Sequence, residues 1–496
     1  MRGVQCAKSL FLYKNHIQWR DRPTAEQQSR FARGQEVGTL ARQLFPGGKD
    51  AAALGGRKLA RVVEKTRELL AAGESVIYEA AFAHEGVGVQ LDILVRRDDK
   101  YYAYEVKSSV RVSETYELDA SVQYYVITGS GLPLADISIV YLNEAYVREE
   151  GPLDLQQLFR QRSVRDVAGF HAPAIRRKID LLKGVLDRAT APEIDIGPHC
   201  HRPYPCDFQG SCWRTVPKHS VFEMADLPVA RQFALYRQGM VRMKDVPEAA
   251  LDRPEQRVQA KAHRTRRPQT DHKALYHFLE PLAYPLYFLH WNAFRTALPG
   301  PVGTSPYQLL PFAFGLQYRR SSDEAPRHLE QLAEPEGFPP DDATWRPDPR
   351  PFFVKHLLRY TERPGHIVVW EKESLQPLLR DLARVYPAQA EALHERAGRL
   401  VSLAEPFRRK WLYKTTMQGK SDWETIRQTM LDDPSRSPFE NDWTMEQFYL
   451  MWRPGEDLFS REEGQQQFGQ HLRDHSEALM RLWEELEQLF RPVLKS

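Results

Sequence analysis

The chain has 496 residues, 42% of them hydrophobic and 27% charged, with a formal net charge of +3. This length predicts more than one domain, and the near-neutral balance excludes nucleic-acid binding through bulk charge, so an anion-binding surface has to be local. No apolar run approaches the roughly 20 residues that cross a bilayer, and the opening stretch Met1 to His16 has no small-residue cleavage site, so a cytoplasmic protein without a membrane partner is expected.

Residues 1–45 read as helical and mixed in charge. A helical pattern over Gln35 to Arg42 is stopped by Phe45-Pro46-Gly47-Gly48. Glu36 on that helix is a candidate site acid, and an exposed helical glutamate is the plainer alternative. Residues 56–72 follow as a second helix, and 75–82 as a strand carrying a weaker candidate, Glu79.

The stretch Val87 to Val110 reads as two strands joined by the polar turn Arg96 to Lys100. Strand side chains alternate, so Val87, Val89, Leu91, Ile93 and Val95 are expected on one face and Asp92 on the other. In the second strand Tyr101, Ala103, Glu105 and Lys107 share a face. Asp92, Glu105 and Lys107 can then converge at one end of the hairpin. Two carboxylates hold a hard divalent cation through oxygen. The cation stabilises charge on a phosphate and lowers the pKa of its water. A lysine ammonium orients that water or neutralises the transition state. The ordinary reading of such residues is a solvated, salt-bridged surface, but an aspartate inside an apolar strand followed by Glu-x-Lys is unusual for one. Residues 116–128 then read as a helix and 135–142 as a strand. Helix, hairpin, helix and strand in this order fit an α/β core.

Asp92 and Glu105-Val106-Lys107 in this setting resemble the PD-(D/E)XK nuclease superfamily, with Leu91-Asp92 in place of Pro-Asp. The resemblance implies Mg²⁺ or Mn²⁺ held by Asp92, Glu105 and the Val106 carbonyl, with Lys107 acting on water or phosphate. Gln123, followed by aromatic residues, resembles the glutamine helix of the RecB-type branch, where the glutamine and a tyrosine hold the site and DNA. That tyrosine position is Ile127 here, and Tyr124 or Tyr125 is either a substitute or a core aromatic.

Cys200, Cys206 and Cys212 recur at equal intervals in a segment kept irregular by Pro198, Pro203, Pro205 and Gly210, and Cys6 is the remaining cysteine. Four thiolates suit zinc or an iron–sulfur cluster. Zinc sites more often use tight Cys-x-x-Cys pairs, and in a zinc version His199 and His201 would compete as ligands. Free buried cysteines are the plainer reading, and the use of every cysteine in one shell makes it a poor one. One N-terminal cysteine and three after the nuclease core resemble the iron–sulfur nucleases of the AddB type and of the CRISPR-adaptation exonuclease family. That resemblance implies a [4Fe-4S] cluster that staples the fold around DNA.

Residues 216–274 read as a helical, basic connector. Arg257, Lys261, Arg264, Arg266 and Arg267 can contact phosphates, though a solvated linker face is the preferred reading. Apolar strands follow at 284–293, 306–316 and 365–370, with a helix at 375–385. Residues 275–496 resemble the DnaQ-like (RNase H-like) exonuclease fold, in a bacterial family that joins it to an iron–sulfur nuclease domain. The active pattern places Asp and Glu at the end of the first strand, where this chain has His290 and Asn292. Ser402-Leu403 stands for an Asp-Leu pair, His475-Ser476 for Asp-Thr, and Leu375 for a glutamate, while Asp474 and Glu477 lie out of register. Two-metal catalysis needs several carboxylates, so this half is expected to be an inactive exonuclease fold kept for binding or assembly, with a protein partner as one candidate. His290 is read as packed or exposed in preference to a metal ligand. The closing helix, 476–490, carries Leu479, Leu482, Trp483, Leu486 and Leu489 on one face.

The expectation is therefore an α/β chain of three parts: a PD-(D/E)XK nuclease core with an iron–sulfur staple (1–215), a connector (216–274) and a degenerate DnaQ-like domain (275–496). The expected activity is metal-dependent hydrolysis of DNA with single-stranded ends, in repair or in defence against foreign DNA. The alternative is a non-catalytic nucleic-acid-binding scaffold whose C-terminal domain mediates binding or assembly.

Overall fold

A computed structural model describes residues 1–334, 347–434 and 458–490, together with Phe439 and Met445. The chain is mixed α/β and divides into two units. The first holds Met1–Arg214 and Thr296–Gln308; the second holds Thr215–Arg295 and the described residues from 309 onward.

In the first unit, α1 (Ala7–Asn15) and α2 (Ala25–Ala41) precede a six-stranded sheet. Thr24 and Gln27 form a capping box that starts α2. The sheet runs β1 (Lys49–Asp50), β2 (Val76–His84), β3 (Val87–Arg97), β4 (Lys100–Lys107), β5 (Leu134–Leu142), β6 (Phe159–Ser163), in that order. β2, β3 and β4 are antiparallel to one another, whereas β5 lies parallel to β4. That parallel step needs a crossover, and α4 (Glu114–Gly129) supplies it, after α3 (Leu59–Ala71) and before α5 (Arg165–Leu186). α4 starts at Ser113, whose hydroxyl accepts from the Tyr116 amide, with Glu114 and Glu117 in the first turn to complement the helix dipole.

Helices cover both faces of the sheet. Val62 and Leu69 of α3 and Ala120, Val126 and Ile127 of α4 pack with Leu91, Leu94 and Ala103. Val37, Leu40 and Ala41 of α2 pack on the other side with Ile93, Val95 and Tyr104. The expected single face of β3 is thereby corrected. Val87, Val89 and Leu91 join the first core, but Ile93 and Val95 join the second. The cause is a local irregularity. Tyr78 pairs with Ile93 and Ala80 with Leu91, and between them Glu79 takes φ +53°, a left-handed conformation that non-glycine residues rarely adopt. The face flips at this point, where Asp92 stands opposite Glu79. The β3–β4 turn is a two-residue one, with Asp98 and Asp99 both at positive φ and Arg97 paired to Lys100, as hairpin twist favours.

Residues expected as a connector fold with the second unit. α6 (Pro254–Thr265) buries Gln256, Gln259, Ala260 and Ala262, and leaves Arg257, Lys261, Arg264, Arg266 and Arg267 exposed. The five-stranded sheet has the order β9 (Arg327–Leu332), β8 (Leu309–Arg319), β7 (Leu286–Arg295), β10 (His366–Val369), β11 (Leu400–Ser402). β7, β8 and β9 form an antiparallel meander, and β10 lies parallel to both β7 and β11. α7 (Arg350–Tyr360) and α8 (Lys372–Val385) cover one side, with Phe353, Leu357, Leu375 and Leu379 buried against Leu289 and Phe314. After α9 (Trp423–Leu431) comes α10 (Leu458–Phe490), which starts well before the expected residue 476. Its Leu479, Leu482, Trp483 and Leu486 pack with Phe288 and Val368. α10 lies very close to the sheet at Gly315, where a Cβ would stand 2.3 Å from the Leu472 carbonyl oxygen; only glycine permits that approach. Among the described residues no helix is long and apolar enough to cross a membrane.

Candidate active site

The ladder between β3 and β4 ends at Ile93 and Tyr104. One residue further, the two strands place Asp92 and Glu105 beside each other. The Val106 N–H donates to Asp92 Oδ2 at 2.6 Å, so a carboxylate serves where a ladder carbonyl would otherwise accept. Val106 thus meets the site through its amide. Ala103 belongs to the core covered by α4, and Glu105 and Lys107 share its side of β4.

Lys107 Nζ donates to Glu105 Oε1 at 2.6 Å and to Asp119 Oδ2 at 2.9 Å. Gln123 Nε2 donates to Glu105 Oε2 at 2.7 Å, and its Oε1 is buried without a partner among the described residues. Lys107 also lies 5.4 Å from the centre of the Tyr116 ring. The structure therefore brings four predicted residues together, Asp92, Glu105, Lys107 and Gln123. It adds two that sequence reasoning missed, Tyr116 and Asp119. Both stand on the face of α4 that carries Gln123, at positions i−7 and i−4, so helical spacing from Gln123 was the signal that could have found them.

Burial pushes the Asp92 carboxyl well above its usual range, and the neighbouring Glu105 charge adds to this; the Val106 N–H offsets only part. Burial likewise raises Glu105, although Lys107 opposes it. Lys107 behaves differently: burial alone would lower it, but Glu105 and Asp119 outweigh burial and hold it raised. Two buried carboxylates that repel each other, with one lysine between Glu105 and Asp119, form a set in which a further cation is favourable. The donors are oxygens, which suits a hard divalent ion.

Glu79 is occupied elsewhere. It accepts from Arg42 Nη2 at 2.7 Å and from Gln90 Nε2 at 2.8 Å. Glu36 is half-buried on α2, and its charge reaches Tyr307, whose hydroxyl donates to the Ser108 carbonyl just past Lys107. Of the aromatic residues considered for the missing tyrosine, Tyr125 donates to Glu85 at 2.8 Å and Tyr124 packs in the core.

The four cysteines line one small cavity, together with Lys8, Ser9, His199, Phe208 and Trp213. The N-terminal helices are tied to the later segment by polar bonds. Gln5 Nε2 donates to the carbonyls of His199 and Tyr204 at 2.8 and 2.7 Å, and Arg2 pairs with Asp207. Burial raises the Cys206 and Cys212 thiols, and the charges of the other cysteines push the same way. In a tetrahedral zinc site with Zn–S near 2.3 Å, sulfurs stand about 3.8 Å apart. Among the described residues no three of these sulfurs lie within 4.8 Å of one another. His201 rests edge-on against Trp213 and accepts or donates at Gln209, outside the residues that line the cavity.

The cysteine segment also carries Tyr204, partly exposed, near enough to the centre that Tyr116, Lys107 and Asp119 all act on its phenol, whose pKa burial raises. Nothing in the local sequence signals this placement of Tyr204, nor that of Tyr307.

In the second unit, His290, Asn292, His471 and His475 come together between β7 and α10. Asp474 and Glu477 are exposed and point away from this buried face of α10. Ser402 bonds to the Trp370 carbonyl at 3.0 Å, and Leu375 is a core residue.

A family described as a domain of unknown function (DUF2779) matches residues 287–422. This span includes His290 and Asn292 but neither His471 nor His475. No curated protein matches the chain.

Proposed function

We propose that the first unit is a divalent-cation-dependent nuclease of the PD-(D/E)XK type acting on DNA. The observation that carries this reading is the convergence of Asp92, Glu105 and Lys107 at the splayed end of β3 and β4, with Gln123 holding Glu105. Asp92 and Glu105 would hold Mg²⁺ or Mn²⁺. When bound, the ion neutralises phosphate charge and makes its water a better nucleophile.

The chain's own residues account for the rest. Lys107 is held protonated by Glu105 and Asp119, so it serves as a fixed positive charge for the phosphate and not as a base. Asp119 and Gln123 fix the direction of Lys107 and Glu105 from α4. Lys107 lies over the Tyr116 ring, and Tyr204 is an exposed aromatic whose phenol senses Lys107 and Asp119, so an unpaired base could stack on Tyr204. That feature favours a strand with single-stranded ends.

The gathering of all four thiols around one cavity supports a shared centre there, and the resemblance to iron–sulfur nucleases makes it a [4Fe-4S] staple. Cys6, Cys200, Cys206 and Cys212 would hold it, joining the N-terminal helices to the segment that carries Tyr204. In the second unit, the meander followed by parallel strands, in the order β9-β8-β7-β10-β11, supports a DnaQ-like fold. Histidines and Asn292 in place of carboxylates support its being inactive as a two-metal exonuclease. A role for the protein in DNA repair or in defence against foreign DNA is compatible with both units.

The test is cleavage of end-labelled single-stranded and duplex DNA in Mg²⁺ or Mn²⁺ by the full chain. We expect activity in the wild type and its loss in Asp92→Ala and in Lys107→Ala. Wild-type rates in both variants would remove the assignment. Brown protein with iron and sulfide after anaerobic purification is expected; a colourless protein with stoichiometric zinc at the cysteines would end the iron–sulfur reading.

A further inference from the structure

We propose that His290, His471 and His475 form a binding site for a divalent transition metal of the zinc class, joining β7 to α10 within the second unit. The three residues offer ring nitrogens that all lie within 4.8 Å of one another, with His471 and His475 buried and His290 partly so.

Several observations carry this independently of the nuclease reading. First, His290 Nε2 and His471 Nε2 face each other at 3.2 Å. That is close to the edge of a tetrahedron whose centre lies about 2.0 Å from each corner, the usual Zn–N length. Two imidazole lone pairs aimed at one point are poorly satisfied by each other and well satisfied by a cation between them. Second, His475 Nδ1 lies 2.9 Å from the His471 carbonyl oxygen. A neutral imidazole donates there from Nδ1, which leaves Nε2 as the ligating nitrogen and fixes the ring direction. His471 and His475 are separated by one helical turn, the spacing that puts two imidazoles on one face of a helix.

Third, Asn292 lies against the cluster. Its Nδ2 is 3.3 Å from His471 Nε2, and its Oδ1 is buried without a partner among the described residues. That oxygen, or a water it holds, can complete the shell. Fourth, β8 carries Gly315 directly opposite His290, and there α10 comes so near that a Cβ would stand 2.3 Å from the Leu472 carbonyl oxygen. The strand is built to let the helix come near enough for His471 and His475 to reach His290.

The donor set selects the class of metal. Three neutral imidazoles with an amide or water bring no negative charge, which suits Zn²⁺ or Co²⁺ and is poor for Mg²⁺ or Ca²⁺. Arg427, whose charge acts on all three rings, is paired with Glu424 at 3.0 Å and with Asp433 at 3.6 Å.

The experiment uses the full chain, stripped with a chelator and then titrated with Zn²⁺. Bound zinc is counted and its neighbours are read by X-ray absorption. We expect a shell of nitrogen and oxygen that contains no sulfur, and one equivalent of zinc per chain lost in His290→Gln and in His475→Gln but kept in Cys200→Ser. Zinc should also raise the melting temperature of the wild type and leave that of His475→Gln unchanged. Failure of the stripped wild type to bind zinc, a shell of sulfur alone, or equal zinc content in the folded histidine variants would overturn the proposal. If a histidine variant does not fold, the ligand shell of the wild type decides. Loss of DNA cleavage plays no part in this test.

Discussion

The two units solve a similar geometric problem with opposite chemistry. Each gathers polar groups from a central strand and from one helix packed over it. In the first, Asp92 and Glu105 come from neighbouring strands and Asp119 and Gln123 from α4, so the donors are oxygens and the site carries negative charge. In the second, His290 comes from β7 and His471 and His475 from α10, so the donors are nitrogens and the site is neutral. The first set contains its own cation, Lys107, positioned by two carboxylates; in the second, Arg427 is held by carboxylates of its own. The lesson is that a sheet-and-helix scaffold fixes where donors meet, while the residue types decide which ion, and which pH, the site tolerates.

Breaking the oxygen site should give the largest effect. Asp92→Asn and Lys107→Ala should each lower DNA cleavage by about 10³-fold or more, as expected for removal of a metal-holding or charge-stabilising group. Their effects on stability should diverge. Asp92→Asn removes a buried charge that Glu105 repels, so the metal-free protein should gain about 1 kcal/mol in denaturant unfolding. Lys107→Ala leaves Glu105 buried without its cation and should cost about 3 kcal/mol. If both variants lose stability alike, the carboxylates are not repelling each other in the folded protein.

The pH response sharpens the same contrast. In chelator-treated protein, burial, with help from His475 and Arg427, pushes His471 to about 3, and burial and Arg427 push His475 to about 4. Unfolded histidine titrates near 6.5. A depressed folded pKa means that the unfolded chain binds protons first. Stability from these groups is full above about pH 6.5 and is lost as pH falls towards 4, by about 1.4 kcal/mol per pH unit for each group. Asp92 has the reverse sign. Its raised folded pKa means that stability is lost as pH rises from the unfolded value of about 3.9 through the folded one. Unfolding measured across pH should therefore show a shallower acid limb in His475→Gln, where His471 and His290 remain, and a smaller loss of stability on raising the pH above about 3.9 in Asp92→Asn, where Glu105 remains. Mg²⁺ should remove only the second, and Zn²⁺ should deepen the first.

A smaller change tests how the nitrogen site is assembled. Gly315→Ala puts a methyl group against the Leu472 carbonyl, and overpacking of this kind costs about 1–3 kcal/mol. We expect weaker zinc binding with DNA cleavage unaffected. Unchanged zinc affinity would mean that the close approach of α10 does not set the histidine spacing.

Much of this was legible in the sequence because alternation and helical spacing are local. The hairpin, the common face of Ala103, Glu105 and Lys107, and the helix bearing Gln123 all follow from periods of two and 3.6. The flip of β3 at Asp92 was not legible, since it depends on Glu79 adopting a left-handed conformation, which has no signature in a non-glycine residue. Asp119 was missed although its spacing from Gln123 was available, because a helical aspartate reads as solvated until a lysine is placed beside it. The meeting of His290 with His471 and His475 had no sequence signal at all. It depends on α10 beginning far earlier than its apolar stripe and on a glycine of the neighbouring strand, and long-range contact of that sort is set by packing.

The smallest expected effect joins the cysteine segment to the oxygen site. Tyr204 lies on that segment, held through its carbonyl by Gln5, and its ring is near enough to Tyr116, Lys107 and Asp119 to sense their charges. Stacking of a base on an aromatic ring contributes about 1–3 kcal/mol. Tyr204→Ala should therefore raise KM for single-stranded DNA by about tenfold, with kcat little changed, because no proton or charge passes through the phenol. Tyr204→Phe should restore the wild-type KM, since the ring face and not the hydroxyl does the binding. A fall in kcat in Tyr204→Ala, unrescued by Tyr204→Phe, would instead place the hydroxyl in the chemistry and make the cysteine segment part of the catalytic centre.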